Sequence, residues 1–205
     1  MPAQSLDPRR DAFARADYAG RCRLVEEALA TAAPDDDLIF DWLDDLAADA
    51  ATPADHAQFA ALCAQLRTAA PDVYAEVAGD LLAWRIAHAL LDGRFADLPP
   101  LTAELAPLAA DFPEAVVASA DRLAYAGQLP LLADLLRRAW PHLQMGDFEE
   151  WEVEQFAVQA MNYAILDFVA RTDAADAADP ALLTLLDEFA EIDAAALAEH
   201  LAQIT

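Results

Sequence analysis

The sequence predicts an all-α protein made of stacked antiparallel helical hairpins, in the manner of an α-solenoid or α-α superhelix, with no β-sheet. Hydrophobic residues make up 57% of the chain, and many of them are alanine and leucine, which favour helices strongly. Only five glycines interrupt the chain, and no β-branched run is longer than the two residues of Val116-Val117. Pro34, Pro53 and Pro71 recur at helix-length intervals, as expected for residues that begin helices.

Local signals place the helix boundaries. The segment Thr52-Pro53-Ala54-Asp55 supplies an N-cap, a first-turn proline and a carboxylate that can complete a capping box. Pro107 should kink or shorten its helix, and Gly20 is predicted to mark a hairpin turn because its surroundings, Tyr-Ala-Gly, recur at Gly127. We predict about 10–11 helices, roughly over residues 6–16, 18–32, 36–48, 53–69, 71–92, 100–111, 113–126, 129–143, 148–171, 180–190 and 194–203.

The domain organisation follows from chain length and hydrophobic pattern. A chain of 205 residues is long enough for one large domain or two small ones. We expect a single all-helical domain over 1–205, with any subdivision near 145–148. The helix predicted at 148–171 is apolar around most of its circumference, which is typical of a buried helix. It is therefore interpreted as the central helix of the C-terminal part.

The charge balance excludes several classes of partner. The formal net charge is −25, and all twelve basic residues are arginine. A surface this acidic repels phosphate backbones and anionic membranes, so we expect neither nucleic-acid nor membrane binding. Without lysine, the chain cannot form a Walker-type phosphate loop or a lysine Schiff base. The acidic charge has two open interpretations: it keeps the protein soluble, or it attracts a basic partner.

Catalytic, cofactor and metal motifs are not found in the sequence. Serine occurs only at Ser5 and Ser119, and no two of the four histidines lie three or four residues apart. We therefore predict no enzyme activity, no cofactor and no metal site. His56 is expected to be a surface histidine in the first turn of its helix, whereas Cys22 and Cys63 are expected to be buried thiols.

The beginning of the sequence and its hydropathy predict a cytoplasmic protein. The first residues lack the apolar core of a signal peptide. No apolar stretch reaches the roughly 20 residues that a membrane-spanning helix needs.

A weak internal repeat has a period of 34 residues. Gly93 and Gly127 each follow an apolar helix, and Phe95 and Leu129 occupy equivalent positions two residues later. Over residues 79–144 the chain resembles the tetratricopeptide repeat, which has this period, although the family's Trp-x-x-Leu-Gly pattern precedes neither turn. The resemblance implies stacked helical hairpins that form a groove for a peptide or protein partner.

Two groups of charged residues are candidate partner-binding sites. Arg85, His88 and Arg122 would share one concave face of a stacked repeat, where they could hold a carboxylate or an acidic peptide. The alternative is that the arginines pair internally with acids such as Asp121 or Asp92. The second group is a carboxylate stripe at helical spacing, which either faces solvent or docks a basic partner. This stripe consists of Asp37, Asp41, Asp44, Asp45 and Asp49.

The sequence leads to a functional hypothesis without a named partner. We expect a protein-interaction scaffold or adaptor that binds another protein or a peptide and has no catalytic activity. The alternative is an acidic, all-helical cytoplasmic chaperone or sequestering partner for a basic client. A third class, an enzyme with an unrecognised site, would require a deep pocket that holds a carboxylate with a raised pKa.

Overall fold

The computed structural model of the chain describes residues 8–31 and 36–143. Of the described residues, 86% are helical, and this part of the chain contains no strand. The prediction of an all-α fold is confirmed. The helices predicted at 148–171, 180–190 and 194–203, and the subdivision predicted near 145–148, lie outside the described residues.

Eight α-helices follow one another along the described chain. Most begin and end within three residues of their predicted bounds, and α4 matches them at both ends. The helices are α1 Pro8–Arg15, α2 Tyr18–Leu29, α3 Asp36–Asp49, α4 Pro53–Ala69, α5 Pro71–Leu91, α6 Leu98–Leu105, α7 Pro113–Tyr125 and α8 Leu129–Leu143.

The N-terminus of α4 forms the predicted capping box. The Asp55 backbone N–H donates to Thr52 Oγ1 at 3.2 Å, and the Thr52 backbone N–H donates to Asp55 Oδ2 at 3.0 Å. Pro53 occupies the first helical turn, where its missing N–H would have had no helical partner. Two backbone donors at the helix end are thereby satisfied.

The prediction of a hairpin turn at Gly20 is wrong, because Gly20 lies inside the first turn of α2. Its backbone N–H donates to Oδ1 of Asp17, the N-cap residue, at 2.8 Å. A Cβ at this position would lie only 2.8 Å from that same oxygen. Glycine here permits the close approach of a capping side chain, which is a different role from ending a helix.

Pro107 shortens α6 as predicted. The helix ends at Leu105, and the chain continues as a 3-10 turn over Ala106–Leu108. Proline has no backbone N–H, and its ring clashes with the preceding turn, so an α-helix does not continue through it without distortion.

The chain divides into two compact units, Met1–His88 and Ala89–Thr205, with the boundary inside α5. In the first unit, α2 packs against α3 and α4. The Tyr18 hydroxyl donates to the Leu46 carbonyl at 3.3 Å, and the Phe13 ring stacks on Trp42 with centroids 4.7 Å apart. The core of this unit includes Val25, Leu38, Ile39, Leu43, Leu46, Phe59, Leu62, Leu66, Leu82 and Ile86.

In the second unit, α8 packs against α7, α6 and the 3-10 turn that follows α6. This packing buries the apolar faces of three short helices together, which none of them could bury alone. The buried residues include Leu98, Leu105, Ala109, Val116, Leu123, Leu132, Leu135 and Ala139.

Gly93 and Gly127 end α5 and α7 with the same backbone geometry. Their φ angles are 67° and 69°, in the left-handed region that glycine adopts without strain. The Arg94 N–H donates to the Ala89 carbonyl at 2.8 Å, and the Gln128 N–H donates to the Leu123 carbonyl at 2.9 Å. Both turns are therefore Schellman caps, and the two glycines that define the 34-residue spacing have one structural role.

Candidate functional site

An open groove lies in the first unit, lined by residues of α1, α3 and α5. Its volume of about 500 Å³ is within the range of ligand-binding clefts. We call it the acidic groove. Its lining residues are Arg10, Phe40, Asp41, Leu43, Asp44, Asp45, Val77, Asp80, Leu81 and Trp84.

The floor of the acidic groove is apolar. Leu43 and Leu81 belong to the buried core, whereas Phe40, Val77 and Trp84 are partly exposed. Partly exposed aromatic and aliphatic side chains in a concave surface can take up an apolar group from a partner, because that contact removes further apolar area from water.

The rim of the groove carries excess negative charge. Four carboxylates line it against a single guanidinium, which gives a formal net charge of −3. Nη2 of Arg10 lies 2.7 Å from Oδ2 of Asp41, and both side chains are about half exposed. Within residues 8–31 and 36–143, neither Asp44 nor Asp45 forms an ion pair. The groove therefore presents carboxylates that its own arginine does not neutralise.

The amphipathic pattern of α3 explains how the sequence builds one wall of the groove. Leu38, Trp42 and Leu46 are buried on one face of this helix, whereas Asp41 and Asp44 are exposed. The predicted separation of a carboxylate face from an apolar face is confirmed for α3. Asp49, at the end of the stripe, pairs with Arg21 at 2.5 Å and does not line the groove.

The predicted partner-binding residues Arg85, His88 and Arg122 differ in burial: His88 is buried, whereas Arg85 and Arg122 are partly exposed. The His88 side chain is only 3% exposed, and its Nε2 donates to the Ala47 carbonyl at 3.1 Å. In this structure the His88 ring is therefore enclosed by its own unit, and its Nε2 is engaged within the fold. Arg85 belongs to the first unit and Arg122 to the second.

The two arginines have different surroundings. Arg85 is partly exposed on α5, and its positive charge favours ionisation of the Cys63 thiol. Burial lowers the pKa of Arg122, while the neighbouring Asp121 carboxylate opposes that shift. Asp92 pairs with Arg94, whose Nε lies 3.1 Å from Asp92 Oδ2.

A stacked histidine pair in the first unit was not foreseen. His56, expected on the surface, is only 3% exposed, and its ring stacks on that of His88 with centroids 4.2 Å apart. Its Nε2 donates to the Ala50 carbonyl at 3.2 Å, and Phe59 packs edge-on against His88 at 5.4 Å. The pair caps carbonyl groups at the C-terminal end of α3, which is a structural role.

A sequence signal for the burial of His56 did exist. His56, Phe59, Cys63 and Leu66 follow the three- and four-residue spacing of one helical face, and all four are buried. A first-turn position alone indicated exposure, but the spacing places His56 on the apolar face of α4.

Cys22 and Cys63 are free and buried, as predicted. Burial is the main reason that the pKa of Cys22 rises to about 11 and that of Cys63 to about 12. Both thiols are therefore protonated near neutral pH. Since the thiolate is the nucleophile, these cysteines are not arranged for nucleophilic chemistry.

In the described part of the chain, no three or more histidine, cysteine, aspartate or glutamate residues cluster in a way that could hold a metal ion. Nor is any of the described helices both long enough and apolar enough to cross a membrane. Comparison of the chain with protein-family models, curated proteins and solved structures finds no match.

Proposed function

We propose that this chain is a protein-interaction module, a scaffold or adaptor without catalytic activity, and that its partner is a basic protein or peptide. The observation that carries the proposal is the acidic groove, which combines an apolar floor with a net-negative rim. A folded surface that offers both is suited to a partner with apolar and cationic side chains, because charge complementarity steers the encounter and apolar burial stabilises the complex.

The same groove also supports the second candidate, a chaperone or sequestering protein for a basic client. The two candidates differ in what the groove holds. An adaptor binds one defined segment of a folded partner, whereas a sequestering protein binds many basic segments of an unfolded client. Competition by a short peptide taken from the partner distinguishes the two candidates. The peptide should displace a partner that an adaptor holds through that one segment, but not a client that a sequestering protein holds through many segments.

A cytoplasmic setting and a tetratricopeptide-like arrangement over residues 79–144 are the finer parts of the proposal. The first rests on the sequence alone. The second rests on the 34-residue spacing of Gly93 and Gly127, two glycines that each end a helix.

The proposal is tested by neutralising the groove without changing its shape. The variant Asp44→Asn/Asp45→Asn removes two exposed carboxylates from the rim. The matched control is Glu26→Gln/Glu27→Gln, which removes two adjacent exposed carboxylates from α2, outside the groove. Each variant and the wild type are cross-linked to partners in cell extract, and the partners are identified by mass spectrometry.

A basic partner should be captured by the wild type and by the α2 control, and lost from the groove variant. Capture should also weaken as salt is raised, because exposed charges are screened over about 10 Å at 0.1 M ionic strength. Equal capture of the same partner by all three proteins would exclude the groove as the binding surface.

A further inference from the structure

Arg10 of α1 lines the acidic groove and forms an ion pair with one of its carboxylates. Its guanidinium contacts the Asp41 carboxylate at 2.7 Å, and the two side chains are 49% and 55% exposed. It is the single cation among the groove-lining residues. The groove therefore already holds one guanidinium, supplied by its own chain.

The groove contains carboxylates and apolar side chains beyond the Asp41 carboxylate that Arg10 contacts. Asp44 and Asp45 line the groove and are exposed, and among the described residues neither has an ion-pair partner. Trp84 and Val77 line the same groove and are partly exposed. A tryptophan face attracts guanidinium and ammonium groups as well as apolar ones.

The charge and shape of the groove select among occupants. An acidic peptide would meet a rim of net charge −3 and would be repelled. A second copy of this chain carries a formal charge of −25, so self-association through this surface is also opposed by electrostatics. A segment that alternates cationic and apolar side chains satisfies both the rim and the floor.

We propose that the acidic groove binds a short arginine- or lysine-containing segment with an apolar anchor, and that the partner's cation replaces Arg10 at Asp41. The inference rests on the proposed function and adds the partner's chemistry and the competing role of Arg10. The exchange is inexpensive because an exposed ion pair contributes little to stability. Asp41 stays paired before and after binding, so Arg10 acts as an internal competitor that weakens partner binding.

If Arg10 is a competitor, truncating it should raise the affinity of the groove for a basic peptide. Arg10→Ala removes a groove-lining side chain, yet it should strengthen the binding of a basic peptide about three- to tenfold, because the competitor is gone and the rim becomes more negative. A side chain that merely contacted the partner would weaken binding when truncated. Arg10→Lys, which keeps the charge, should bind like the wild type.

The probe is a fluorescein-labelled, acetylated and amidated hexapeptide that alternates arginine and leucine, titrated into the full-length chain by fluorescence anisotropy. Two further peptides separate the contributions. One replaces leucine with serine and lacks the anchor, and the other replaces arginine with glutamate. We expect clear binding of the first peptide, binding weakened about tenfold or more for the second, and no binding of the third.

The protein variants complete the experiment. Asp44→Asn/Asp45→Asn should weaken binding of the arginine-leucine peptide about tenfold, while Glu26→Gln/Glu27→Gln should leave it within about twofold. Circular dichroism of each variant establishes that it is folded before its affinity is compared.

Three results would overturn the inference. Equal binding of the arginine-leucine and arginine-serine peptides would show that charge alone attracts the ligand. It would exclude a contribution of the apolar anchor to binding. Unchanged or weaker binding to Arg10→Ala would remove the competitor role. If the arginine-leucine peptide does not bind, but a captured partner is lost on neutralising Asp44 and Asp45, the inference fails while the proposed function stands. If that partner is also retained, both fail.

Discussion

Gly93 shows how a single residue determines where a helix ends. Its φ of 67° ends α5, and a Cβ built at this position would meet no atom within 4 Å. Substitution therefore introduces backbone strain without a steric clash. We expect Gly93→Ala to lower the free energy of unfolding by about 1 kcal/mol, as measured by urea denaturation.

The matched variant for this position is Gly93→Asn. Asparagine tolerates the left-handed region better than alanine does, so its destabilisation should be clearly smaller than that of Gly93→Ala. Equal losses for the two variants would mean that the cost arises from something other than the φ angle.

The Cys63 thiol makes stability dependent on alkaline pH. Burial raises its pKa from 9.0 to about 12 in the folded chain. Between these values the unfolded chain loses this proton while the folded chain keeps it, so the free energy of unfolding falls as pH rises. The stability that this neutral thiol contributes is fully present below pH 9.

We therefore expect the wild type to lose more stability than Cys63→Ala when the pH is raised from 8 to 10. The difference should be about 1 kcal/mol, measured by urea denaturation of both proteins at each pH. The tyrosines and Cys22 also titrate in alkaline solution, but they are common to both proteins and cancel in the comparison. Parallel losses would contradict the assignment of this effect to Cys63.

At the scale of one element, two threonines of α4 allow the stability contribution of the N-cap to be compared with that of a position inside the helix. Thr52→Ala removes the side chain that accepts the Asp55 N–H and should cost about 1 kcal/mol of unfolding free energy. Thr68→Ala is the internal control in the same helix. The Thr68 hydroxyl is exposed and donates to the Ala64 carbonyl at 3.0 Å, a bond that adds little to helix stability.

Thermal and urea denaturation of the two threonine variants provide the measurement. Only the Thr52 variant should be destabilised. Thr68→Ala raises helix propensity and should be neutral or slightly stabilising. A similar loss in both variants would therefore contradict the assignment of the Thr52 effect to the cap.

The elements that the sequence predicts well are those with local chemical signals. Both ends of α4 follow from a capping box and from Pro71 at the start of the next helix, and the end of α6 follows from Pro107. Gly20 was misassigned because the same tripeptide occurs with two geometries. At Gly127 it ends a helix, whereas at Gly20 the preceding Asp17 begins one.

The candidate site was only partly predictable because its lining residues come from three helices, α1, α3 and α5, that are separated in the sequence. The carboxylate stripe on α3 follows from helical spacing, but nothing local indicates that Arg10, Asp80 and Trp84 line the same groove. Similarly, spacing places His56 on an apolar face, but its stacking on His88 depends on how α4 and α5 pack. Periodicity predicts which face is buried, and does not predict which helices meet.

At the scale of the whole molecule, the dominant quantity is a formal net charge of −25. Like charges repel more in the compact state than in the expanded unfolded chain, so this charge opposes folding. The local ion pairs act in the other direction. Among the described residues they include Arg10–Asp41, Arg21–Asp49 and Arg138–Asp134, whose acidic partners are partly exposed, and such pairs contribute little individually.

Salt should therefore stabilise the fold while it weakens partner binding. Raising sodium chloride from low concentration to about 0.15 M shortens the screening distance to about 8 Å and relieves repulsion among the excess carboxylates. We expect an increase in unfolding free energy of about 1 kcal/mol, or about 2–4 °C in Tm for a chain of this size. Urea, being uncharged, is the suitable denaturant.

The variant Asp44→Asn/Asp45→Asn provides the comparison. With two carboxylates fewer on α3, it should be more stable than the wild type at low salt and gain less from added salt, because part of the repulsion is already removed. If stability instead falls as salt rises, attraction within the ion pairs exceeds repulsion among the carboxylates. The acidic surface would then be a network that stabilises the fold, and its excess charge would no longer imply a surface held ready for a basic partner.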